Sequence, residues 1–461
     1  MPLKPRLNTT TLAMVLALGT AQAAFATELS EVWQAAWQND RDYAVARAAQ
    51  AAAQPRREQS AALWRPRVAL AAGVGLGSSE TEATGAQFSA PGLGTNSGVG
   101  FNTSVTGGTA TRWTLSAAQP LYNPERRAQQ RQIELSLGVA ELEWQMARQN
   151  LLLSTAQRYF DLALAQDTLA VLQRQMATVQ RASTEVQDRF RLGAVPVTDT
   201  HEAQARLAEI QAQVLLARND WQIKRDRLVA STGLPAATLS ARLPLRPADP
   251  GTLGPLEPWL QRAQDRNPGL RLRQAATEAA RQEVGKFSAR ASASVDLVAQ
   301  TSREHLGGSG AYGSAGNTAA NSFVGLQISV PLWTGGYRNA KQEEAVLLAD
   351  KAAAEADLTR QDVEQQVRAS WLNLSIGSER LRAMSQGLAA SEARLDATHL
   401  GQQVGHRTTQ DLMNAESDQA RARLALGQAR VGLVLERLRL DALAGDLNED
   451  ALRALDGHLA P

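Results

Sequence analysis

The stretch VGLQISVPLWTGG, Val324–Gly336, sets five apolar residues (Val324, Leu326, Ile328, Val330, Leu332) on alternate positions and then stops at Pro331, Trp333 and Gly335-Gly336. Period-two alternation marks a strand with one apolar face, and a proline followed by glycines ends a sheet ladder. The stretch WTLSAAQPLYNPE, Trp113–Glu125, ends the same way at Pro120, Tyr122 and Pro124. The chain therefore builds a strand and a sharp exit from it twice.

The whole sequence is duplicated. At an offset of about 212 residues Gly193 matches Gly405, Asp199 matches Asp411, and Ala217-Arg218 matches Ala429-Arg430. Leu228 likewise matches Leu440, and Gly233 matches Gly445. One residue less pairs Pro120-Leu121 with Pro331-Leu332, Tyr122 with Trp333 and Phe160 with Trp371. The order of these matches predicts a leader over residues 1–26, a first repeat over 27–233, a Pro-rich junction over 234–255 and a second repeat over 256–461. The leader reads as a secretory signal, with Lys4 and Arg6, the apolar Thr11–Thr20 and an Ala24-Phe25-Ala26 cleavage site.

Each repeat reads as helix, strand, loop, strand and long helices. Opening helices are expected over Leu29–Leu63 and Glu257–Ala289, and strands over about 64–78, 109–122, 292–303 and 321–333. The Gly-, Ser- and Thr-rich stretches Ser79–Thr109 and Glu304–Ala320 are expected to be flexible connections. From Glu125 to about Arg191 there is no proline, while apolar residues from Leu151 to Val179 recur at three- and four-residue steps. A continuous helix there would be about 100 Å long and carry a coiled-coil-like seam.

The 461 residues hold 44% hydrophobic but only 5% aromatic side chains, and no cysteine. This excludes disulfides, thiol chemistry and a cysteine-borne lipid anchor. A net charge of +2, with bases and acids interleaved, gives no case for a nucleic-acid partner. The five histidines form no ligand pattern, no nucleophile–base pair stands out, and Gly308-x-Gly310-x-x-Gly313 lacks the helix a phosphate loop needs, so it reads as a flexible loop. Neither an enzyme nor a cofactor is expected. No stretch beyond the leader is apolar enough for a spanning helix, so membrane contact would have to come from the strands. Four strands cannot close a lipid-facing barrel, for which about eight are the known minimum, so further copies of the chain are required.

The signal segment, the duplicated halves, VPLWTGG after the fourth strand, RFRLGAVPVTD (Arg189–Asp199) and GHRTTQDLMNAES (Gly405–Ser417) together resemble the TolC family of outer-membrane export channels. That resemblance implies a mainly α protein with a transmembrane β part. Three copies would form a twelve-stranded barrel, embedded in outer-membrane lipid and continued by a periplasmic α-helical tunnel. It implies a passive exit duct working with a periplasmic adaptor and an inner-membrane ABC or RND-type transporter. Type I protein secretion is preferred, because the exported chain would begin almost directly with its first helix and carries no lipidation cysteine. Drug or small-molecule efflux is the alternative, and a periplasmic coiled-coil adaptor the distant one. The resemblance also places a periplasmic gate at the turns around Gly193 and Gly405. Arg407 matches the family's gate arginine and Asp199 its carboxylate partner, with Asp188 and Gln402 at the other latch positions. Asp411 matches an acidic constriction ring, and Asn414 stands where a second acid is usual.

Overall fold

The computed structural model describes residues 28–92, 94–245, 253–287, 293–310 and 313–459. The expected leader, Pro247 and Pro250 of the junction, and the expected start of the third strand at 292 lie outside the described residues.

The first repeat begins with α1 (Leu29–Asn39), α2 (Arg41–Ala51) and α3 (Ala53–Ala62), continues through β1 (Arg67–Ala90) and β2 (Gly94–Tyr122), and ends in α4 (Pro124–Arg191) and α5 (Val197–Thr232). The second repeats the plan with α6 (Leu256–Arg266), α7 (Pro268–Lys286), β3 (Ser294–Gly310), β4 (Gly313–Ser329), α8 (Tyr337–Gln403) and α9 (Thr409–Leu443), followed by α10 (Glu449–Asp456). At 68 and 67 residues, α4 and α8 are each about 100 Å long.

The opening helices are broken rather than continuous. Asp40 ends α1 and caps α2 by accepting the Tyr43 N–H at 3.1 Å, and Asn267 does the same for α7 through the Leu270 N–H at 2.9 Å. Pro268 at the first position of α7 reinforces that break, since it has no N–H to give to the preceding helix. Short polar side chains that satisfy the free donors of a helix start make such a kink inexpensive.

Two equivalent cores hold the long helices together. In the first, Leu29, Val32 and Trp33 of α1 pack with Tyr159 and Phe160 of α4, Leu228 of α5 and Leu452 of α10. In the second, Trp259 and Leu260 of α6 pack with Val367 and Leu374 of α8 and Leu440 of α9. The repeat-matched leucines Leu228 and Leu440 are both fully buried. Further along, Val179 and Ala182 of α4, Ile210 of α5 and Met413 of α9 form a third cluster that ties the two repeats together.

The four strands form one antiparallel sheet in the order β1-β2-β3-β4. The expected flexible connections are themselves strand: β1 and β2 remain paired from Ser79↔Val105 out to Ala90↔Gly94, and β3 and β4 pair as far as Gly310↔Gly313. Thr81, Phe88, Val99, Phe101 and Thr103 favour extended backbone, and register shifts near Ala83 and Ala86 absorb the glycines. Gly308 and Gly310 thus belong to β3, paired with Ala315 and Gly313 of β4, rather than to a flexible loop, and a Cβ on Gly308 would come within 2.6 Å of the Gly108 Cα on β2. The fourth strand ends at Ser329, so Pro331 and Trp333 follow the ladder instead of closing it, and the first strand starts at Arg67, beyond Trp64. Among the described residues no helix is long and apolar enough to cross a membrane.

Candidate functional site

Register places a run of apolar residues from all four strands on one face. Val68 pairs with Ala117, Ala117 with Ala299, and Ala299 with Val324, so Val68, Leu70, Val74 and Leu76 share a side with Leu115, Leu297, Val324, Leu326 and Ile328. These side chains are exposed, Leu76 at 87% and Val324 at 76%. The opposite face is mostly small and polar, with the cross-strand ion pair Arg112–Glu304 at 3.3 Å, and carries Leu306 and Phe323 among these groups. One apolar face, one polar face and two unpaired outer edges, β1 and β4, describe a segment of a lipid-facing barrel wall around a hydrated lumen.

The sheet leaves for the helices at two unequal joints. In the first, Pro120 and Tyr122 end β2, Asn123 caps α4 by accepting the Arg126 N–H at 2.9 Å, and Pro124 opens the helix. Gln119 donates to the Trp64 carbonyl at 2.7 Å, and the Trp64 indole donates to Gln130 at 2.7 Å. In the second, Pro331 and Trp333 lie between the end of β4 and the start of α8 with Trp333 at 87% exposure, and Gly335 and Gly336 turn the chain at φ 63° and 83°. Two consecutive left-handed residues are open only to glycine at little cost. Trp333, Tyr122 and Trp64 therefore lie at the helical end of the apolar band.

At the far end of the long helices, the two repeat turns have one backbone design. Gly193 donates to Phe190 O at 2.9 Å and Ala194 to Arg189 O at 2.8 Å; Gly405 donates to Gln402 O at 3.1 Å and His406 to Gly401 O at 2.8 Å. This is the Schellman closure, and Gly193 and Gly405 supply its left-handed residue at φ 75° and 79°.

The helix starts that follow differ. Thr408 and Asp411 form a reciprocal capping box, with the Thr408 N–H on Asp411 Oδ2 at 3.0 Å and the Asp411 N–H on Thr408 Oγ1 at 3.1 Å. The Thr408 N–H and then its hydroxyl hold the Asp411 carboxyl below the usual range, with the Arg407 charge adding to the effect. In the first repeat Pro196 stands at the cap, and proline has no N–H for Asp199 to accept. Among the described residues the Asp199 carboxylate receives only the neighbouring Thr198 hydroxyl, at 3.3 Å.

The other gate candidates are not brought together within one chain. Asp188 pairs with Arg191 at 2.7 Å on its own helix. Gln402 gives its carbonyl to the turn, and Asn414 is exposed on α9. The Arg407 N–H donates to Gly401 O at 3.1 Å, and its guanidinium forms no ion pair with a carboxylate among the described residues. Sequence reasoning passed over Glu416, whose Oε2 is buried without a hydrogen-bond partner. Burial pushes its carboxyl up, against the opposing charge of Arg181 on α4. Among the described residues no group of side chains is arranged to hold a metal ion.

A lipid-facing sheet carried on a long helical bundle defines an outer-membrane channel, and the comparisons agree. The chain belongs to the outer membrane efflux protein family, whose model matches residues 32–234 and 259–446. It is 26% identical over 436 residues to the outer membrane protein TolC of Vibrio cholerae, covering 94% of both chains. It is 28% identical over 341 residues to the alkaline protease secretion protein AprF of Pseudomonas aeruginosa, covering 73% of this chain and 70% of AprF. Its fold is that of the Campylobacter jejuni CmeC outer membrane channel, with a TM-score of 0.68 at 16% identity over 94% of this chain and 90% of that one.

Proposed function

We propose that the chain is one subunit of a homotrimeric exit duct, opened by a periplasmic adaptor and an inner-membrane ABC or RND-type transporter, and used for type I protein secretion. The observation that carries this reading is the sheet with one apolar face and two unpaired edges. Four strands cannot close, two copies would enclose a side-chain-filled barrel, and three leave a water-filled lumen. Protein cargo is favoured over drugs because AprF and the proteases secretion protein PrtF of Dickeya chrysanthemi, 24% identical over 345 residues, are named for secretion.

At the turns, Arg407 of one copy would latch onto Asp199 of the next. Asp411 is held by its own cap, whereas Asp199 meets only the neighbouring Thr198 hydroxyl and can still accept a guanidinium, and an Arg–carboxylate fork is directional. Exposed pairs are worth only about 0.2–1 kcal/mol each, so three could hold a tunnel shut and still yield to a docking partner.

The test is deletion of the gene with two readouts. Loss of a secreted protein with unchanged drug susceptibility supports the secretion reading; the reverse result assigns the duct to efflux. Heat-modifiable oligomer bands in outer-membrane extracts test assembly, and a monomer insensitive to heating refutes the trimer.

A further inference from the structure

The upper edge of the apolar band is not level along the sheet rows. On β1 it reaches Leu76, on β2 Trp113, on β3 Ala299 and on β4 Val324. In register terms the band drops from the Leu76–Thr109 row to the Val68–Ala117–Ala299–Val324 row. Tilt offsets row partners on neighbouring strands by only about 3 Å in height, so most of this drop is a band whose upper edge lies lower on β3 and β4 than on β1. Along β2, Trp113 and Tyr122 are nine residues apart, about 30 Å of strand or about 23 Å of height at a 40° tilt. That matches the separation of the two aromatic girdles of a membrane barrel, about 25 Å.

Above the edge on its own strand, on the lipid side and level with Trp113, stands Arg303. It is the register partner of Trp113 and Ala320 and therefore shares their face. It is exposed and has no ion-pair or hydrogen-bond partner among the described residues. His305 follows on the same face, exposed, with its Nδ1 at 2.9 Å from Thr318 Oγ1 and its carbonyl accepting the Thr111 hydroxyl. Thr301 and Ser322 complete a hydroxyl collar just below, their oxygens 3.1 Å apart. No Asp or Glu occurs on this face in the rows from Val68 to Leu76; Glu80 and Glu82 come beyond them on β1, and Glu304 points to the other side and is taken by Arg112.

We infer that Arg303 and His305, with the surrounding hydroxyls, form a lipid-side site for a phosphate group of the outer-leaflet glycolipid, the lipid A portion of lipopolysaccharide. Arg303 shares the row of Trp113 and so lies within about 3 Å of the height of that upper girdle residue, which is interfacial depth rather than hydrocarbon. The helices leave from the opposite end of the sheet, so this rim faces away from the periplasm. A guanidinium remains charged at any working pH and meets phosphate oxygens through paired N–H donors. Neighbouring Trp113 provides the amphipathic surface that seats the headgroup–acyl boundary. Free inorganic phosphate offers the same oxygens but none of the acyl chains that the band below would cover.

This inference rests on the barrel reading above. The experiment uses the full chain extracted in detergent from outer membranes, first examined for its heat-modifiable oligomer and then by native mass spectrometry with added lipid A. Wild-type protein should retain bisphosphorylated lipid A about fivefold or more over the dephosphorylated form. Arg303→Gln should abolish that preference, and Arg303→Lys should keep part of it. Equal retention of both forms by the wild type, or an unchanged preference in Arg303→Gln, overturns the site. Displacement of the lipid by millimolar inorganic phosphate assigns the residues to a free anion and overturns the lipid. Absence of the oligomer in every sample refutes the barrel reading, and the site with it.

Discussion

Thr408 and Asp411 satisfy one another across the first turn of α9, whereas Pro196 and Asp199 at the matched positions of α5 cannot. The same acid at the same place in the repeat is therefore spent on the backbone in one half and left open in the other.

This contrast predicts how the turns respond to substitution. Arg407→Ser and Asp199→Ala should each raise single-channel conductance in planar bilayers, and the double variant should add little to either. Pro196→Ser would supply the missing N–H and hydroxyl, draw Asp199 into a capping box and raise conductance without touching either latch residue. Unchanged conductance in Arg407→Ser would remove the latch role.

The α9 cap should be sensitive to acid. The Asp411 carboxyl is held below its usual range in the folded chain, so its contribution is complete above the unfolded value and is lost as pH falls through the folded one. The protection factors of the Asp411 and Leu412 amides, exchange being measured relative to the intrinsic rate at each pH, should hold above the usual aspartate range and fall as pH drops below it. Thr408→Ala should show the faster exchange already at neutral pH.

Glu416 should behave in the opposite sense. Burial raises its carboxyl, so the folded chain holds this proton more tightly than the unfolded chain and stability falls as pH rises through that window. Glu416→Gln should match the wild type in oligomer dissociation temperature near pH 4 and exceed it near pH 8. A variant equal to the wild type at both would show that the carboxyl is hydrated in the assembly.

Leu228 and Leu440 occupy equivalent places in the two cores and are both fully buried. Truncation of either to alanine should cost about 2–5 kcal/mol. Urea titration of each variant, followed by tryptophan fluorescence, measures that loss, and a cost under about 1 kcal/mol would mean that the site collapses around the smaller side chain.

Much of this architecture was legible from the residues alone. The proline-free run after Glu125 reads directly as one long helix, and alternation over Val68–Leu76 and Val324–Ile328 reads as strand with one apolar face. Misreadings came where one composition serves two conformations. Ser79–Thr109 has the Gly, Ser and Thr content of a loop, but a hairpin standing in water needs only paired backbone and no apolar face, so alternation was absent while the strand was present. The break at Asn267-Pro268 did carry a signal, a capping residue before proline, that lay hidden within a helical pattern. Thr408-x-x-Asp411 is a legible capping box, yet its acid is seen as structural only when its hydrogen bonds are known. The burial of Glu416 depends on α4 and α9 meeting across more than 200 residues of chain, and no local pattern encodes it.

The shared closure of the Gly193 and Gly405 turns bears on the geometry of docking. Three copies would present six turns of one backbone shape at the tunnel mouth, in two electrostatic kinds that alternate around it. A partner ring that reads only shape would encounter sixfold symmetry and could seat in twice as many orientations as one that reads charge. The substitution of a proline for a capping threonine thus decides whether the mouth is a hexagonal or a triangular target.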